Sequence, residues 1–194
     1  MCIRDRGYRA SIALVRAAYR RINSVARYEK GRKADTRKRV VRLASERFRK
    51  DGIDGIGVAT LMADAGLTHG GFYSHFESKE ALVNEAVEFA FSMLPKEFTG
   101  HEDAKRDLEA LIDWYLSPAH RDKPGKGCPL AALAPDLARR SRAARIVFVK
   151  GAQNTIDKIS TGLPSDLPQE ERQSLSYSVM AQFCLLYTSD AADE

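Results

Sequence analysis

The sequence has no apolar run near the roughly 18 to 20 residues that a membrane-spanning helix needs, and its first residues lack a signal-peptide core. Its 3 cysteines lie far apart among 194 residues, without a C-x-x-C pair or a spacing typical of metal ligands. Membrane-spanning proteins, disulfide scaffolds and zinc modules are therefore excluded. We expect a cytoplasmic protein that folds around an apolar core, without a metal or another cofactor.

The basic residues are concentrated near the start of the chain. Residues 1–50 contain 17 of the 31 Lys and Arg but only 4 of the 26 Asp and Glu, although the whole chain has a net charge of only +5. This asymmetry favours a module that binds a polyanion, joined to a module with another role. On charge alone, an ordinary solvated surface is the alternative. With 44% hydrophobic and 29% charged residues, the composition is that of one or two globular domains.

Both ends of the chain resemble translated adapter sequence from library preparation. Residues 1–6 can be encoded by a transposase end sequence, and residues 184–194 by its reverse complement running into adapter. We therefore expect both segments to be foreign to the natural protein, which is then interrupted after Phe183.

A natural start near residue 25 is also expected. No methionine lies between Met1 and Met62, and Val25 can be encoded by GTG, which initiates translation in bacteria. Residues 1–34 are accordingly interpreted as a basic N-terminal extension. An arginine-rich helical arm over residues 7–24 is the alternative.

A helix-turn-helix pattern begins near residue 35. Asp35 or Thr36 can cap a helix whose apolar positions recur every three or four residues. A second, short helix follows over residues 58–65, and Gly66 supplies the left-handed backbone that ends it. Thr68 can cap a third helix, which is predicted to be the recognition helix of a DNA-binding motif.

This predicted recognition helix, residues 68–76, contains two adjacent glycines. Each glycine costs a helix about 1 kcal/mol relative to alanine, so we expect Gly70 and Gly71 to serve a close approach of the backbone to a ligand. His69 can offer hydrogen bonds to base edges in the major groove of DNA.

The aromatic residues of the same segment divide into two groups. Phe72 and Phe76 are one helical turn apart and are predicted to be core residues. Tyr73 and His75 lie on other faces, from which they can donate to phosphate oxygens. For either residue taken alone, an ordinary surface or core side chain is the alternative.

These residues resemble the DNA-binding domain of TetR-type one-component transcriptional regulators. The resemblance covers Asp35 to about Ala90 and depends on the spacing of the whole block. It is carried by Thr36-Arg37, Ala44-Ser-Glu-Arg-Phe48, Gly52, Val58-Ala-Thr-Leu-Met-Ala-Asp-Ala-Gly-Leu-Thr68 and Phe72-Tyr-Ser-His-Phe-Glu-Ser-Lys-Glu-Ala-Leu82.

The resemblance implies a repressor that binds double-stranded operator DNA as a homodimer and is released from it by a small-molecule effector. The helix that starts near Ser78 would link the DNA-binding and ligand-binding parts. The double glycine departs from the commoner family pattern, which has a larger residue there, so base reading depends on His69 and on groove shape. The implied phosphate contacts are Thr36, Arg37, Thr68, Tyr73, His75 and Lys79, and the implied base-reading positions are His69, Gly70 and Gly71.

The rest of the chain is predicted to be helical, which makes the fold class all-α. Residues 35–80 form the predicted DNA-binding domain, and residues 81–183 an incomplete effector-binding and dimerisation domain. Further helices are predicted at residues 102–116, 130–140, 142–161 and 169–183. The predicted core positions are Leu108, Leu111, Ile112, Tyr115, Ile146, Val149, Ile156 and Ile159. The residues predicted to line an effector pocket are Phe89, Met93, Trp114, Tyr115 and Phe148.

The resemblance also concerns the C-terminus, because TetR-type regulators pair through their last two helices. Residues 169–183 are interpreted as the first part of the penultimate helix. We expect Leu175, Val179 and Met180 to stay partly exposed, and the 194-residue chain to be a weak dimer.

Cys128 supports a second hypothesis, a repressor that senses oxidants or electrophiles. It precedes a predicted helix, and the helix N-terminus together with Lys126 can lower the pKa of a thiol. A small buried cysteine that packs against the helix start explains the same residue. If residues 184–194 are foreign, no resolving cysteine remains.

Two further classes of protein were weighed. An enzyme could use Cys128 with His101 or His120, or the acids Glu102, Asp103 and Asp107, but none has a recognisable flanking signature, so we predict no catalytic activity. An architectural DNA-binding protein without an effector leaves the long helical second part unexplained. A cavity on the order of a few hundred Å³ in that part would favour an effector sensor.

Overall fold

The computed structural model describes residues 31–93 and 104–190, and within these ranges every regular element is helical, as predicted. The predicted adapter segment 1–6, the predicted start at Val25, and His101, Glu102 and Asp103 lie outside the described residues. The elements are α1 (31–51), α2 (Val58–Asp64), a first 3₁₀ helix (His69–Ser74), α3 (Lys79–Ser92), α4 (Ala104–Tyr115), α5 (Pro118–Arg121), a second 3₁₀ helix (Pro124–Lys126), α6 (Pro129–Ala138), α7 (Arg142–Gly162) and α8 (Gln169–Asp190).

The first helix begins earlier than predicted. Helix α1 is already regular at residue 31, so neither Asp35 nor Thr36 is its N-cap. The residues before Asp35 include arginine, lysine and alanine, which favour helix over the extended backbone of a cap. By its contacts the chain falls into two compact units, residues 1–39 and 40–194, and the core of the helix-turn-helix lies in the second.

The turns of the helix-turn-helix follow the prediction. Gly52 and Gly66, which end α1 and α2, have φ angles of 78° and 69°, in the left-handed region that favours glycine. Ser78 caps α3, because its hydroxyl accepts a hydrogen bond from the amide of Ala81 at 3.1 Å.

The recognition segment is a tight 3₁₀ helix and not the α-helix that was predicted. Thr68 stands at its N-cap position, but the expected hydrogen bond from the hydroxyl is not made, so that part of the prediction was wrong. The amide of Gly71, which the hydroxyl would accept from, donates to the Thr68 carbonyl oxygen at 3.0 Å instead. An i to i+3 bond of this kind is what a 3₁₀ turn requires.

One apolar core joins the helix-turn-helix to the helices that follow it. Phe48, Leu61 and Phe72, from its three helices, are buried in the same cluster as Leu133 of α6 and Ala144 of α7. Helix α3 packs along α7, and α7 also packs against α4, α6 and α8. The helix-turn-helix is therefore fixed to the body of the protein by buried side chains.

A second core lies further along α7, between α4 and α8. Its buried members are Leu111, Tyr115, Cys128, Ile156, Ile159, Met180 and Phe183. The predicted core positions Ile146 and Val149 were wrong, because they are 57% and 61% exposed on the outer face of α7. Met180, expected to be partly exposed, is instead buried here because α8 packs against α7.

The C-terminal helix is longer than predicted, since α8 continues past Phe183 to Asp190. Leu175 is exposed and Val179 is half-buried, as expected. Among the helices described, none combines the length and the apolar character that crossing a bilayer requires.

Gly151 allows the close packing of α7 against α3. A Cβ atom at this position would lie 2.2 Å from Cδ2 of Phe91, closer than any real contact. We predict that Gly151→Ala lowers the free energy of unfolding by about 1 to 3 kcal/mol, as overpacking does. Urea denaturation measures this, and the same substitution should cost much less in a Phe91→Ala background. An equal cost in both backgrounds would show that Phe91 is not the obstacle.

Candidate DNA-binding surface and ligand cavity

The recognition segment presents one buried and one exposed side. Phe72 and Phe76 are 1% and 2% exposed, with their rings stacked 5.4 Å apart, so the prediction that both are core residues is confirmed. Tyr73 is 68% exposed, and His69 and Gly70 are exposed as well. The buried phenylalanines therefore fix the orientation of an outward surface made of histidine, glycine and tyrosine.

Nothing inside the folded protein requires glycine at residues 70 and 71. Neither glycine has a positive φ angle. A Cβ atom on Gly70 would meet nothing within 4 Å, and one on Gly71 would be 3.5 Å from Oγ1 of Thr68 and 3.7 Å from Cε of Met62. These are ordinary van der Waals distances. The two glycines therefore leave a flat stretch of backbone on the surface, where a bound molecule can approach closely.

The polar rings around these glycines are held by ring contacts. His69 and Tyr73 meet edge to face with centroids 6.3 Å apart, and Tyr73 meets Phe72 edge to face at 5.3 Å. This arrangement ties both exposed rings to a buried one. His75 is half-buried, with its ring 6.4 Å from that of Phe76, and it is less accessible than Tyr73.

The remaining predicted phosphate contacts lie on other elements. Lys79 begins α3, and its Nζ donates to the carbonyl oxygen of Ile56 at 2.7 Å. Partial burial lowers the pKa of Lys79, but an ammonium group has three donors and can also bind a phosphate. Thr36 and Arg37 are half-buried on α1, in the separate unit 1–39.

A cavity lies between the second core and α3. Of the predicted pocket residues, Met93, Trp114 and Tyr115 line it, whereas Phe89 and Phe148 pack against the first core. The sequence analysis missed Phe91, Met180 and Phe183, which also form its walls. Phe91 is two positions from Phe89 on α3, so it lies on a different face from the one that periodicity selected.

The cavity is smaller than the predicted few hundred Å³. Its volume is about 40 Å³, enough for a few water molecules. Aromatic rings fill much of the space: Tyr115 stacks on Phe183 at 4.2 Å, and the buried His120 lies 4.3 Å from Trp114 and 4.4 Å from Tyr115. Burial lowers the pKa of His120, so this aromatic cluster favours a neutral imidazole.

Comparison with known proteins places the helix-turn-helix in a family. Residues 40–86 match the sequence model of the bacterial regulatory proteins of the tetR family. The HTH-type transcriptional repressor DhaR of Mycobacterium sp. (strain GP1) is 27% identical over 115 residues, which are 59% of this chain. The helix-turn-helix of this chain is therefore similar to that of the tetR-family regulatory proteins. The match spans 58% of the length of DhaR.

Solved structures of TetR-type proteins share the fold of this chain. The reduced form of NemR from E. coli superposes with a TM-score of 0.68 at 20% identity, covering 82% of this chain and 88% of NemR. A TetR transcriptional regulator from Chloroflexus aurantiacus J-10-FL gives a TM-score of 0.66 at 24% identity, covering 81% and 86%. A TetR-family regulator from Agrobacterium tumefaciens gives 0.69 at 15% identity, covering 82% and 89%.

A cysteine thiol, that of Cys128, lies in the wall of the cavity. Cys128 is buried at the N-cap position of α6 and lines the cavity. A hydrogen bond with Cys184 lowers the pKa of Cys128 to about 6, against the opposing effect of burial, and the amides of Ala131 and Leu130 and the Tyr115 hydroxyl act in the same direction. The pKa of Cys184 is raised, because the same hydrogen bond keeps its proton in place.

We predict that Cys128 is a thiolate at neutral pH. In a Cys2→Ser background, absorbance at 240 nm should show a thiolate that forms with a midpoint near pH 6. Cys184→Ser keeps a hydroxyl donor and should retain part of the shift, whereas Cys184→Ala should move the midpoint towards the ordinary value of a thiol, about 8.5. A midpoint above pH 8 with Cys184 intact would contradict this assignment.

Proposed function

We propose that this protein is a DNA-binding transcriptional repressor that acts as a homodimer on a double-stranded operator. The observation that supports this most strongly is the exposed surface of His69, Gly70 and Tyr73 on a helix-turn-helix, beside the half-buried Gly71, with glycines that the fold itself does not require. A flat backbone with an imidazole beside it suits base edges in the major groove. Thr68, Tyr73, His75 and Lys79 would bind phosphates beside this surface. Thr36 and Arg37, in the unit 1–39, are proposed as further phosphate contacts.

A dimer is proposed because one short recognition segment reads too few base pairs for selectivity. Two segments entering successive major grooves must be about 34 to 36 Å apart. Such an arrangement predicts an operator with two inverted half-sites. The match to DhaR, which is named a transcriptional repressor, favours repression over activation.

A small-molecule effector is proposed to bind in the cavity. Helix α3 carries Lys79 at its start, next to the recognition segment, and Phe91 and Met93 at its end, in the cavity wall. An effector larger than a few heavy atoms would have to displace the rings of Tyr115 and Phe183, and pushing on Phe91 would move α3. A shift of a few ångströms in α3 is enough to prevent two recognition segments from docking together.

The glycine pair provides the sharpest test of DNA binding. We predict that Gly70→Ala and Gly71→Ala each leave stability unchanged or raise it by up to about 1 kcal/mol, because alanine is the better helix former. Both should nevertheless weaken binding to a duplex selected from a random pool by the wild-type protein. Thermal unfolding and fluorescence anisotropy measure the two effects. Unimpaired binding by both variants would contradict the close approach of the backbone.

Substitutions of His69 and Tyr73 are predicted to affect binding to this duplex in different ways. His69→Ala should relax the sequence preference at one base pair per half-site, by about 1 to 3 kcal/mol, because it removes a base contact. Tyr73→Phe keeps the ring and removes a phosphate donor, so it should weaken all sequences alike. A uniform loss for His69→Ala would contradict its assignment to base reading.

A redox- or electrophile-sensing repressor is the second candidate, and the position of Cys128 in the cavity wall favours it. Its thiolate would add to the double bond of N-ethylmaleimide and form a thioether within the cavity, which would displace α6 or α3. One of the similar structures is described as the reduced form of NemR, which agrees with redox chemistry in that relative.

N-ethylmaleimide distinguishes this candidate from a sensor of a non-covalent effector. Sensing through Cys128 predicts that the reagent abolishes DNA binding by a Cys2→Ser protein and spares a Cys2→Ser/Cys128→Ser protein. Cys184→Ser is the matched control, and it should stay sensitive if Cys128 acts alone. Continued DNA binding by fully modified protein would eliminate the candidate.

A further inference from the structure

A cluster of polar side chains connects the helix-turn-helix to the end of α6. In the loop between α1 and α2, the amide of Ile53 donates a hydrogen bond to Oδ2 of Asp136 on α6 at 2.7 Å. This is a short, well-formed hydrogen bond to a carboxylate, of the stronger kind that a charged acceptor makes. It fixes the loop at the residue directly after Gly52.

Arg140, just beyond α6, reinforces the connection. Its guanidinium pairs with Asp54 of the same loop and with Glu80 of α3, the latter through Nη1 and Oε2 at 3.1 Å. Ser141 donates from Oγ to Oε1 of Glu80 at 2.6 Å. The hydrogen bond from Ser141, together with Arg140, holds the pKa of Glu80 below its ordinary value and keeps it charged at neutral pH.

The opposite end of α6 lies in the cavity wall. Cys128, Pro129 and Leu130 form its first turn and line the cavity, while Asp136 and Arg140 are at or beyond its last turn. A helix of 10 residues is about 15 Å long, and Pro135 stands inside it, directly before Asp136. Leu133 and Leu137, on either side of Pro135, are buried in the first core, so displacement of the first turn can reach the hydrogen bonds at the end of α6 through packed side chains.

A second bond ties α1 to the segment that enters α6. Arg49 is buried, lines the cavity and donates from Nε to the carbonyl oxygen of Gly125 at 2.9 Å. The DNA-binding motif is thus bonded to the body both before α6 and after it. Because hydrogen bonds weaken steeply beyond about 3.5 Å, a shift of α6 by one ångström cannot keep all of them.

We propose that Asp136 and Arg140 are positioning residues that couple the contents of the cavity to the loop between the first two helices of the DNA-binding motif. The biological role of this coupling rests on the proposed function. The coupling itself can be measured in the protein without DNA. It differs from a movement of α3 alone, because it acts on the loop that precedes α2 and the recognition segment. Coupling of this kind typically changes an equilibrium by a factor of about 5 to 150.

Hydrogen exchange on the full-length chain tests the coupling directly. The cavity is perturbed in two ways in a Cys2→Ser/Cys184→Ser background: by carboxamidomethylation of Cys128 and, separately, by Cys128→Met. We expect either change to raise the exchange rate of amides 52–57 at least tenfold. In the double variant Asp136→Ala/Arg140→Gln, these amides should already exchange rapidly when the cavity is unperturbed. Neither change at Cys128 should then raise their exchange rate further.

Two controls separate coupling from a merely structural role. Asp136→Asn retains an oxygen acceptor for the Ile53 amide and should preserve the response. Arg121→Gln/Asp122→Asn removes an exposed ion pair elsewhere, with its 2.8 Å contact, and should also leave the response intact. Unchanged exchange at 52–57 after both perturbations, or a full response without Asp136 and Arg140, would overturn the proposal.

The same proteins are then tested on the selected duplex. A wild type that binds no DNA would refute the proposed function, while the exchange data would still decide the coupling. If the duplex is bound, carboxamidomethylation of Cys128 should weaken binding at least fivefold in the Cys2→Ser/Cys184→Ser protein. The loss should be less than twofold when Asp136→Ala/Arg140→Gln is added to that background. A persisting fivefold loss in that variant would count against the coupling.

Discussion

The burial of Phe48, Phe72, Leu133 and Ala144 in one apolar cluster is the constraint on which the rest of the structure depends. A helix-turn-helix of three short elements buries too little apolar surface to hold a 3₁₀ recognition segment in one orientation. Here α6 and α7 complete its core. The position of the exposed residues that are proposed to read DNA is thus set partly by side chains of the helical body.

A shared core has a consequence for regulation, because packed interiors transmit displacement instead of absorbing it. The cavity is bordered by α1, α3, α4, α6, α7 and α8, and four of these helices, α1, α3, α6 and α7, also contribute to the core of the helix-turn-helix. With a volume of about 40 Å³, the cavity cannot accept a sizeable molecule without movement of its walls. An effector that binds there would therefore displace the same helices that orient the recognition segment.

Local patterns were sufficient to predict the parts of the fold that depend on local physics. The burial of Phe72 and Phe76 and the left-handed turn at Gly66 each follow from neighbouring residues, and the structure confirms them. The all-α fold class is confirmed as well. The assignment of individual DNA contacts stays a prediction, because such contacts depend on DNA and not on neighbouring residues of the chain.

The features that the sequence could not predict depend on distant partners. Ile146 and Val149 have the spacing of a core stripe, and only the packing of α7 decides that they face outward. The bond between Ile53 and Asp136 joins residues 83 positions apart, and no local pattern marks it. Phe91 lines the cavity for the same reason, since its face of α3 is selected by α7.

Native-state hydrogen exchange in a Leu137→Ala variant shows whether the helix-turn-helix and the helical body share one cooperative core. Leu137 is on α6 and is 1% exposed, and its truncation should cost about 2 to 5 kcal/mol. The account predicts that the most protected amides of α2 and α3 lose as much opening free energy as those of α6. A loss confined to α6 and α7, with α2 and α3 unchanged, would contradict it.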